Sequence, residues 1–242
     1  IHLDYGNSKK IMKEIQSNIN IIGGGLIGAA IAYSVSKLGK DVVVLEQKAK
    51  FDHKKILDKR TTAISEGTKK FLEEINIWKE IAKHAQPIKK IQIIDRNQSN
   101  KIYFDNQRRN SNLGYIVKNE LILGSLYKKL EKKNNVKIFN NISVKDIFYE
   151  GSRIVTKHKN FFINSNLLIA SDGKNSLVRK IFKTPIFSKE YNKKAIVINF
   201  YHSKNHHNTA YEFFYKNGPF AILPMLKIKN KFQSSIVWTN TN

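Results

Sequence analysis

Apolar positions in this chain follow two textures, one in the first three quarters and another towards the end. Residues 18–22 (NINII) and 41–46 (DVVVLE) are short, β-branched and apolar on both faces, as strands inside a parallel sheet require. Between them, residues 29–38 are apolar around most of a helical turn, which suits a helix laid on a sheet, and Gly39 supplies its stop. Strand, helix and strand form one βαβ unit. Phe71, Leu72, Ile75, Ile77, Trp78 and Ile81 predict an amphipathic helical segment, or two short ones, over 69–84, ended by Pro87. Residues 91–95 and 101–104 predict a hairpin around a polar turn at 96–100. A helix is predicted over 119–130, with Leu123, Leu126, Tyr127 and Leu130 on its apolar side. Short strands follow at 136–139, 144–149, 153–157 and 161–163, with a turn at 150–152. An apolar strand at 167–170 then leads straight into Ser171, Asp172 and Gly173. Beyond Pro185 the helical period disappears, and residues 195–201, 212–215 and 236–238 predict a second, sheet-based domain.

Composition narrows the function classes. The 242 residues are 41% hydrophobic and 11% aromatic, enough for burial to offset chain entropy in one large domain or two smaller ones. No apolar run approaches the length of a bilayer span, and the polar start of the chain does not read as a secretory signal. The absence of cysteine excludes disulfides, thiol nucleophiles and thiolate metal sites, and a cytoplasmic location is expected. Ile1 is not an ordinary initiator, and Met12 stands just ahead of the first strand. Residues 1–11 therefore read as an upstream extension, or as a by-product of where the reading frame was opened.

The net charge of +24 changes less than its size implies. Lysine far exceeds arginine, and Asn, Ile, Phe and Tyr are abundant, as AT-rich codons would produce. The lysines are scattered in pairs, such as Lys69-Lys70 and Lys132-Lys133, rather than gathered into an arm or stripe. Specific nucleic-acid binding is not predicted; non-specific attraction to anionic lipid or RNA is.

The strongest local motif is Gly23-x-Gly25-x-x-Gly28, set between a strand and a helix. Gly23 permits the tight turn, Gly25 lets the backbone approach a pyrophosphate, and Gly28 lets helix and strand pack closely. Glu46 ends the second strand, where a carboxylate can accept both ribose hydroxyls of an adenosine. The plain alternative is a glycine-rich turn with a solvated strand-end glutamate. Agreement of strand, turn, helix, second strand and acid favours the nucleotide. The fingerprint does not choose between FAD and NAD. Asp172-Gly173, taken alone, is an ordinary turn dipeptide. His202, His206 and His207 read as solvated loop residues with no metal partner in Cys or paired carboxylates. Trp78 and Trp238 read as core.

Four segments supply what the fingerprint lacks. They are 60–65 (RTTAIS), 113–119 (LGYIVKN), 167–179 (LLIASDGKNSLVR) and 218–225 (GPFAILPM), in that order. Together they resemble the ubiquinone-biosynthesis hydroxylase family of FAD-dependent aromatic monooxygenases, from about residue 18 to the C-terminus. The resemblance implies a flavin-proximal role for Arg60, an FAD-facing helix opened by Asn119, and FAD contact with a nicotinamide path at Asp172 and Gly173. Arg179 fits the family less specifically, since it also suits a helix C-terminal charge.

The implied fold is α/β (α+β overall), a Rossmann-like FAD-binding domain interleaved with a mostly β substrate domain. Its expected limits are 18–90 with 113–183 for the first domain and 91–112 with 184–242 for the second. The implied reaction uses FAD, NAD(P)H and O₂ to hydroxylate a phenolic, polyprenylated ubiquinone precursor. It also implies peripheral contact with the inner membrane and membership of a ubiquinone-biosynthesis complex. No residue is expected as catalytic acid or base, because the flavin carries the chemistry. A later Gly-Asp motif of the family does not occur before Asn242, so the C-terminal part of the fold is expected to be missing and the chain inactive alone. The competing readings are another two-dinucleotide flavoprotein, such as an amine oxidase, and a non-enzymatic remnant of an interrupted gene.

Overall fold

A computed structural model describes residues 12–51, 60–95, 101–106 and 111–241. The extension expected at 1–11 and the turn expected at 96–100 lie outside the described residues. In chain order, β1 (Lys13–Ile22), α1 (Leu26–Ser36) and β2 (Val42–Leu45) come first. Then come β3 (Thr61–Ile64), α2 (Glu66–Glu74), α3 (Trp78–Ile81), β4 (Gln86–Ile88), β5 (Lys90–Asp95) and β6 (Lys101–Asp105). β7 (Gly114–Lys118) runs directly into α4 (Asn119–Leu130). β8 (Val136–Phe139), β9 (Asp146–Glu150), β10 (Arg153–Lys157), β11 (Phe161–Ala170) and α5 (Leu177–Ile181) follow. Four long strands close the order: β12 (Lys193–His202), β13 (Thr209–Tyr215), β14 (Gly218–Ile228) and β15 (Lys231–Thr241).

The architecture is α/β, rich in strands, in two compact units. One comprises Ile1–Phe51 with Tyr127–Pro185, the other Asp52–Leu126 with Ile186–Asn242. Of the residues that the sequence reading groups with the FAD-binding domain, 60–90 and 113–126 fall in the second unit.

The first unit is a six-stranded sheet in the order β8-β2-β1-β11-β10-β9. β1 lies parallel to both β2 and β11, and β2 parallel to β8, while β9 and β10 add an antiparallel edge. All four residues of β2 are buried, which explains their unbroken apolar run. α1 buries Gly28, Ala29 and Ala32, small residues that let the helix approach the sheet closely. Two strands are longer than their apolar runs. β1 begins at Lys13, and β11 joins the stretches 161–163 and 167–170 through Asn164, Ser165 and Asn166. The polar residues there are satisfied in part: Ser165 Oγ donates to Ile154 O, and Asn20 Nδ2 donates to Thr156 Oγ1 at 2.8 Å, while Asn20 Oδ1 and Asn164 Oδ1 are buried without a hydrogen-bond partner among the described residues.

The second unit holds a six-stranded sheet, β12-β15-β14-β13-β5-β6, and a three-stranded one, β3-β7-β4. β5 and β6 form the expected antiparallel hairpin pair. Ile88, Ile116, Ala210 and Met225 make a shared core for strands of both sheets. The amphipathic stretch over 69–84 divides into α2 and α3 because Asn76 takes a left-handed backbone, φ 59°. Ser65 caps α2, its Oγ accepting from Thr68 N at 3.2 Å. Pro87 sits within β4 rather than merely after a helix. Trp78 is buried, but Trp238 is 46% exposed, contrary to the core placement expected for it. Its strand neighbours β12, an edge strand whose residues 193–198 are all exposed, so little side-chain cover reaches it.

Candidate cofactor-binding cleft

At the C-terminal ends of β1, β2 and β11 lies an open cleft of about 440 Å³. Its walls include Gly23, Gly25, Glu46, Ser171, Asp172 and Gly173. Each glycine of the fingerprint has a different reason to be there. Gly23 has φ 98°, and a Cβ on it would collide with Ser171 O. A Cβ on Gly28 would strike Gly23 O, so close packing of α1 demands the bare backbone. Gly25 is the opposite case: a Cβ there would meet no heavy atom within 4 Å. Packing therefore does not require Gly25; its missing side chain leaves space open towards the cleft.

The same residue starts α1. Gly25 offers no side-chain cap, and the first turn carries no acid. The first bond of the helix runs from Ala29 N to Gly25 O at 2.8 Å, so the N–H groups of Leu26, Ile27 and Gly28 precede it. Uncapped donors at the positive end of a helix, beside an empty Cβ position, suit a diphosphate.

Glu46 stands at the end of β2, held by Glu46 N donating to Phe139 O. Its Oε2 accepts from Gly24 N at 2.5 Å and its Oε1 from Lys48 N at 2.8 Å. Tyr127, buried on α4, donates its hydroxyl to Gly24 O at 2.9 Å. Gly24 is thus held from both sides, and a Cβ on it would press on the Tyr127 hydroxyl at 2.5 Å. Burial, and then the charge of Glu46, pushes the Tyr127 phenol up to about 12.

The opposite wall follows β11. Ser171 N donates to Ile22 O, and Ser171 Oγ donates to Ile22 O and Gly23 O at 2.9 and 2.8 Å. Asp172 Oδ2 accepts from Leu177 N at 2.6 Å and Val178 N at 3.3 Å, which fastens the start of α5. Its Oδ1 is buried without a hydrogen-bond partner among the described residues. Gly173 has φ 86°, and a Cβ on it would meet open space. The donor set, the open position at Gly25 and the orphaned Asp172 oxygen all fit a bound dinucleotide.

The structure thus brings Gly23, Gly25, Glu46, Asp172 and Gly173 to one cleft in the first unit, with Gly28 buried against Gly23 O. Arg60 and Asn119 lie in the second unit, and they come together there. Asn119 N donates to Arg60 O at 3.0 Å, beyond the Thr61–Lys118 pair of β3 and β7, and Thr62 Oγ1 donates to Asn119 Oδ1 at 2.6 Å. Sequence reasoning missed Ser171 and Tyr127 as supports of the glycine loop. A hydroxyl on the otherwise apolar side of α4 was the available signal for Tyr127.

Two of the three histidines also differ from expectation, whereas His207 is an exposed loop residue as expected. His202 belongs to β12, and both it and His206 are half-buried against Phe232 rather than solvated in a loop. His206 accepts from Asn208 N at Nδ1 and donates from Nε2 to Met225 O at 3.0 Å. Burial is the main reason that its pKa is lowered.

The family described as FAD binding domain matches residues 16–241. The chain belongs to that family. FAD is accordingly its cofactor, which settles the choice between dinucleotides that the glycine fingerprint left open. Among curated relatives, the mitochondrial ubiquinone biosynthesis monooxygenase COQ6 of Drosophila melanogaster is 28% identical, over 98% of this chain and 52% of its own length. The ubiquinone hydroxylase UbiL of Rhodospirillum rubrum is 27% identical, over 92% of this chain and 52% of its own. The chain thus spans about half the length of the curated relatives it matches. Of solved structures, p-nitrophenol 4-monooxygenase PnpA from Pseudomonas putida aligns with a TM-score of 0.79 at 16% identity, over 95% of this chain and 59% of that one. The flavin-dependent monooxygenase PieE, solved with FAD and substrate, aligns at 0.74 and 12% identity, over 93% of this chain and 43% of that one. At such identities these structures show the fold alone.

Proposed function

We propose that this FAD-binding chain serves a monooxygenase reaction in which NAD(P)H and O₂ hydroxylate a phenolic, polyprenylated precursor of ubiquinone. The observation that carries the reading is the uncapped start of α1 at Gly25, open to solvent beside Glu46. The substrate class is supported by the names of the relatives that align along almost the whole chain.

Bound FAD supplies the redox chemistry, taking reducing equivalents from NAD(P)H and delivering one oxygen atom of O₂ to an electron-rich ring. The chain's own residues bind and orient. Gly23, Gly25 and Gly28 let backbone donors approach the diphosphate, and Glu46 accepts the ribose hydroxyls. Asp172 and Gly173 form the facing wall of the cleft, and the family resemblance is the support for assigning Arg60 and Asn119 to the flavin. No side chain is assigned as a general acid or base. Exclusion of water around the reduced flavin is the remaining task of the protein. No helix among the described residues is long and apolar enough to cross a membrane. We place the protein in peripheral contact with an anionic membrane, where each lysine near the surface contributes about 1 kcal/mol, and within a ubiquinone-biosynthesis complex.

Calorimetric titration with FAD tests the site, using the wild type, Gly25→Val and Glu46→Ala. Glu46→Ala should weaken binding by about 1.5–3 kcal/mol, the range for a hydrogen bond to a charged group. Unchanged affinity in both variants removes the site assignment. The reaction is tested by mass spectrometry of a polyprenylphenol incubated with NAD(P)H and isotopically labelled O₂. Flotation with neutral and anionic liposomes tests the membrane contact, and equal recovery on both removes the electrostatic argument.

A further inference from the structure

A separate cavity of about 300 Å³ opens where β13 turns into β14. Tyr215, Asn217, Gly218, Phe220, Trp238 and Asn240 line it, all in the second unit and none of them charged. Strand alternation gathers the rings. Phe213 pairs with Phe220, and Phe220 with Trp238, so Tyr215, Phe220 and Trp238 rise from one face of three neighbouring strands. Gly218, opposite Tyr215 in the ladder, adds no side chain, and a Cβ on it would collide with Thr239 O. The Phe220 ring stands at 75° to Tyr215 and 82° to Trp238, with centroids 6.5 and 6.0 Å apart. Two rings that each cross a third near a right angle make three sides of a box. The box is open, since Tyr215 and Trp238 are 44% and 46% exposed.

We propose that this aromatic box binds a quaternary ammonium group, a trimethylated cation of the choline or trimethyllysine type. The faces of aromatic rings carry negative potential and attract a cation placed over them. A primary ammonium brings three N–H donors that need acceptors, and the lining holds no carboxylate to receive them. A quaternary ammonium has no N–H to satisfy, and its methyl groups pack on the rings. A neutral apolar group of the same shape would gain that packing without the electrostatic attraction. The chain's own cations leave these rings uncovered. Lysines stand over the rings of Tyr33, Trp78, Phe148 and Phe232, but among the described residues none stands over Tyr215, Phe220 or Trp238. Lys194, the partner of Asn240 across β12 and β15, and Lys216, in the turn, are near the box but not in its lining. Both oppose a bound cation, so they set its affinity downward.

The inference does not depend on the flavin reading, because the box lies within the second unit and shares no residue with the cleft. The experiment is a proton NMR titration of the whole chain with choline and with trimethyllysine. Each is paired with a counterpart: dimethylbutanol, the neutral isostere of choline, and unmethylated lysine. At least one trimethylated cation should bind about fivefold more tightly than its counterpart, the size of an exposed cation–π contact. Its methyl signal should move upfield under the ring currents. The arm that responds identifies a choline head or a methylated side chain as the source. Trp238→Ala should abolish the preference and the upfield shift, Trp238→Phe should restore most of both, and Lys194→Gln should tighten cation binding severalfold. Flavin affinity, measured in parallel, reports separately on the proposed function. Equal binding within both pairs, binding of none of the four, or undiminished cation binding by Trp238→Ala would overturn the proposal. Lys194 is exposed, so weaker cation binding by Lys194→Gln decides against the proposal even if Trp238→Ala fails to fold.

Discussion

Tyr127 and Gly24, 103 positions apart in sequence, are joined by a hydrogen bond of 2.9 Å from the phenol to the glycine carbonyl. The bond ties the end of α4 to the glycine loop of the cleft, and the buried phenol must stay protonated to make it. Its folded pKa, about 12, lies above the ordinary value of 10.0. Its contribution to stability is therefore complete below pH 10 and is lost as pH rises through 12. We expect unfolding free energy to fall by about 1.4 kcal/mol per pH unit across that window. Tyr127→Phe should be less stable at neutral pH by about 1 kcal/mol and should lack this alkaline step. Denaturant titrations at several pH values measure both effects.

Substitutions at Gly25 and Gly28 should separate binding from folding. Gly28→Ala places a methyl against Gly23 O and should destabilise by about 2 kcal/mol or more. Gly25→Ala meets nothing and should leave the thermal midpoint nearly unchanged, while flavin affinity falls. Equal thermal losses for the two variants would contradict the distinction drawn between the two glycines.

Asp172 should matter for α5 as well as for the cleft. Asp172→Ala removes the acceptor for Leu177 N and Val178 N, at about 1 kcal/mol for the loss of such a cap. Amide exchange should quicken at Leu177 and Val178. Unaltered exchange there would show that Ser176, whose Oγ accepts from Arg179 N, holds the helix start alone.

His206 gives the opposite pH sign to Tyr127. A second proton would sit on Nδ1, against the Asn208 N–H that it now accepts. Its pKa is lowered, so its contribution is present above the ordinary histidine value of 6.5 and is lost as pH falls through the folded value. His202 and His207 stand around it and oppose the same proton, while the bond to Met225 O favours it. Stability measured from pH 7 to pH 5 should fall in the wild type and fall less in His206→Gln.

The βαβ unit, the tight turn at Gly23 and the close packing at Gly28 were legible because a buried parallel strand, a turn and a close-packed helix each leave a local mark in sequence. The continuous β11 was not. Asn164, Ser165 and Asn166 look like a break until Gln16 and Ser17 are seen beside Asn164 and Ser165 in the parallel ladder. The meeting of Arg60 with Asn119 has the same origin, since antiparallel pairing of β3 and β7 brings together segments that share no local pattern. The supporting part of Ser171 was hidden because a hydroxyl bonding two carbonyls looks, in sequence, like any turn serine. The half-buried histidines were misread because polarity was taken for exposure, whereas aromatic packing against Phe232 shelters them.

The pairing of β1 with β11 also orders events during synthesis. Ile22 lies beside Ala170, so the central pair of the first sheet joins two strands separated by most of the polypeptide made up to that point. Such distant partners close slowly, because a long loop must lose its freedom before any contact rewards it. A ribosome-bound chain released only as far as α4 has the glycine loop but lacks β11 and Ser171, which buttress it. Flavin capture by stalled nascent chains should therefore begin only once residues beyond 171 have left the exit tunnel, and until then the strand edge of β1 is a point where a chaperone would be needed.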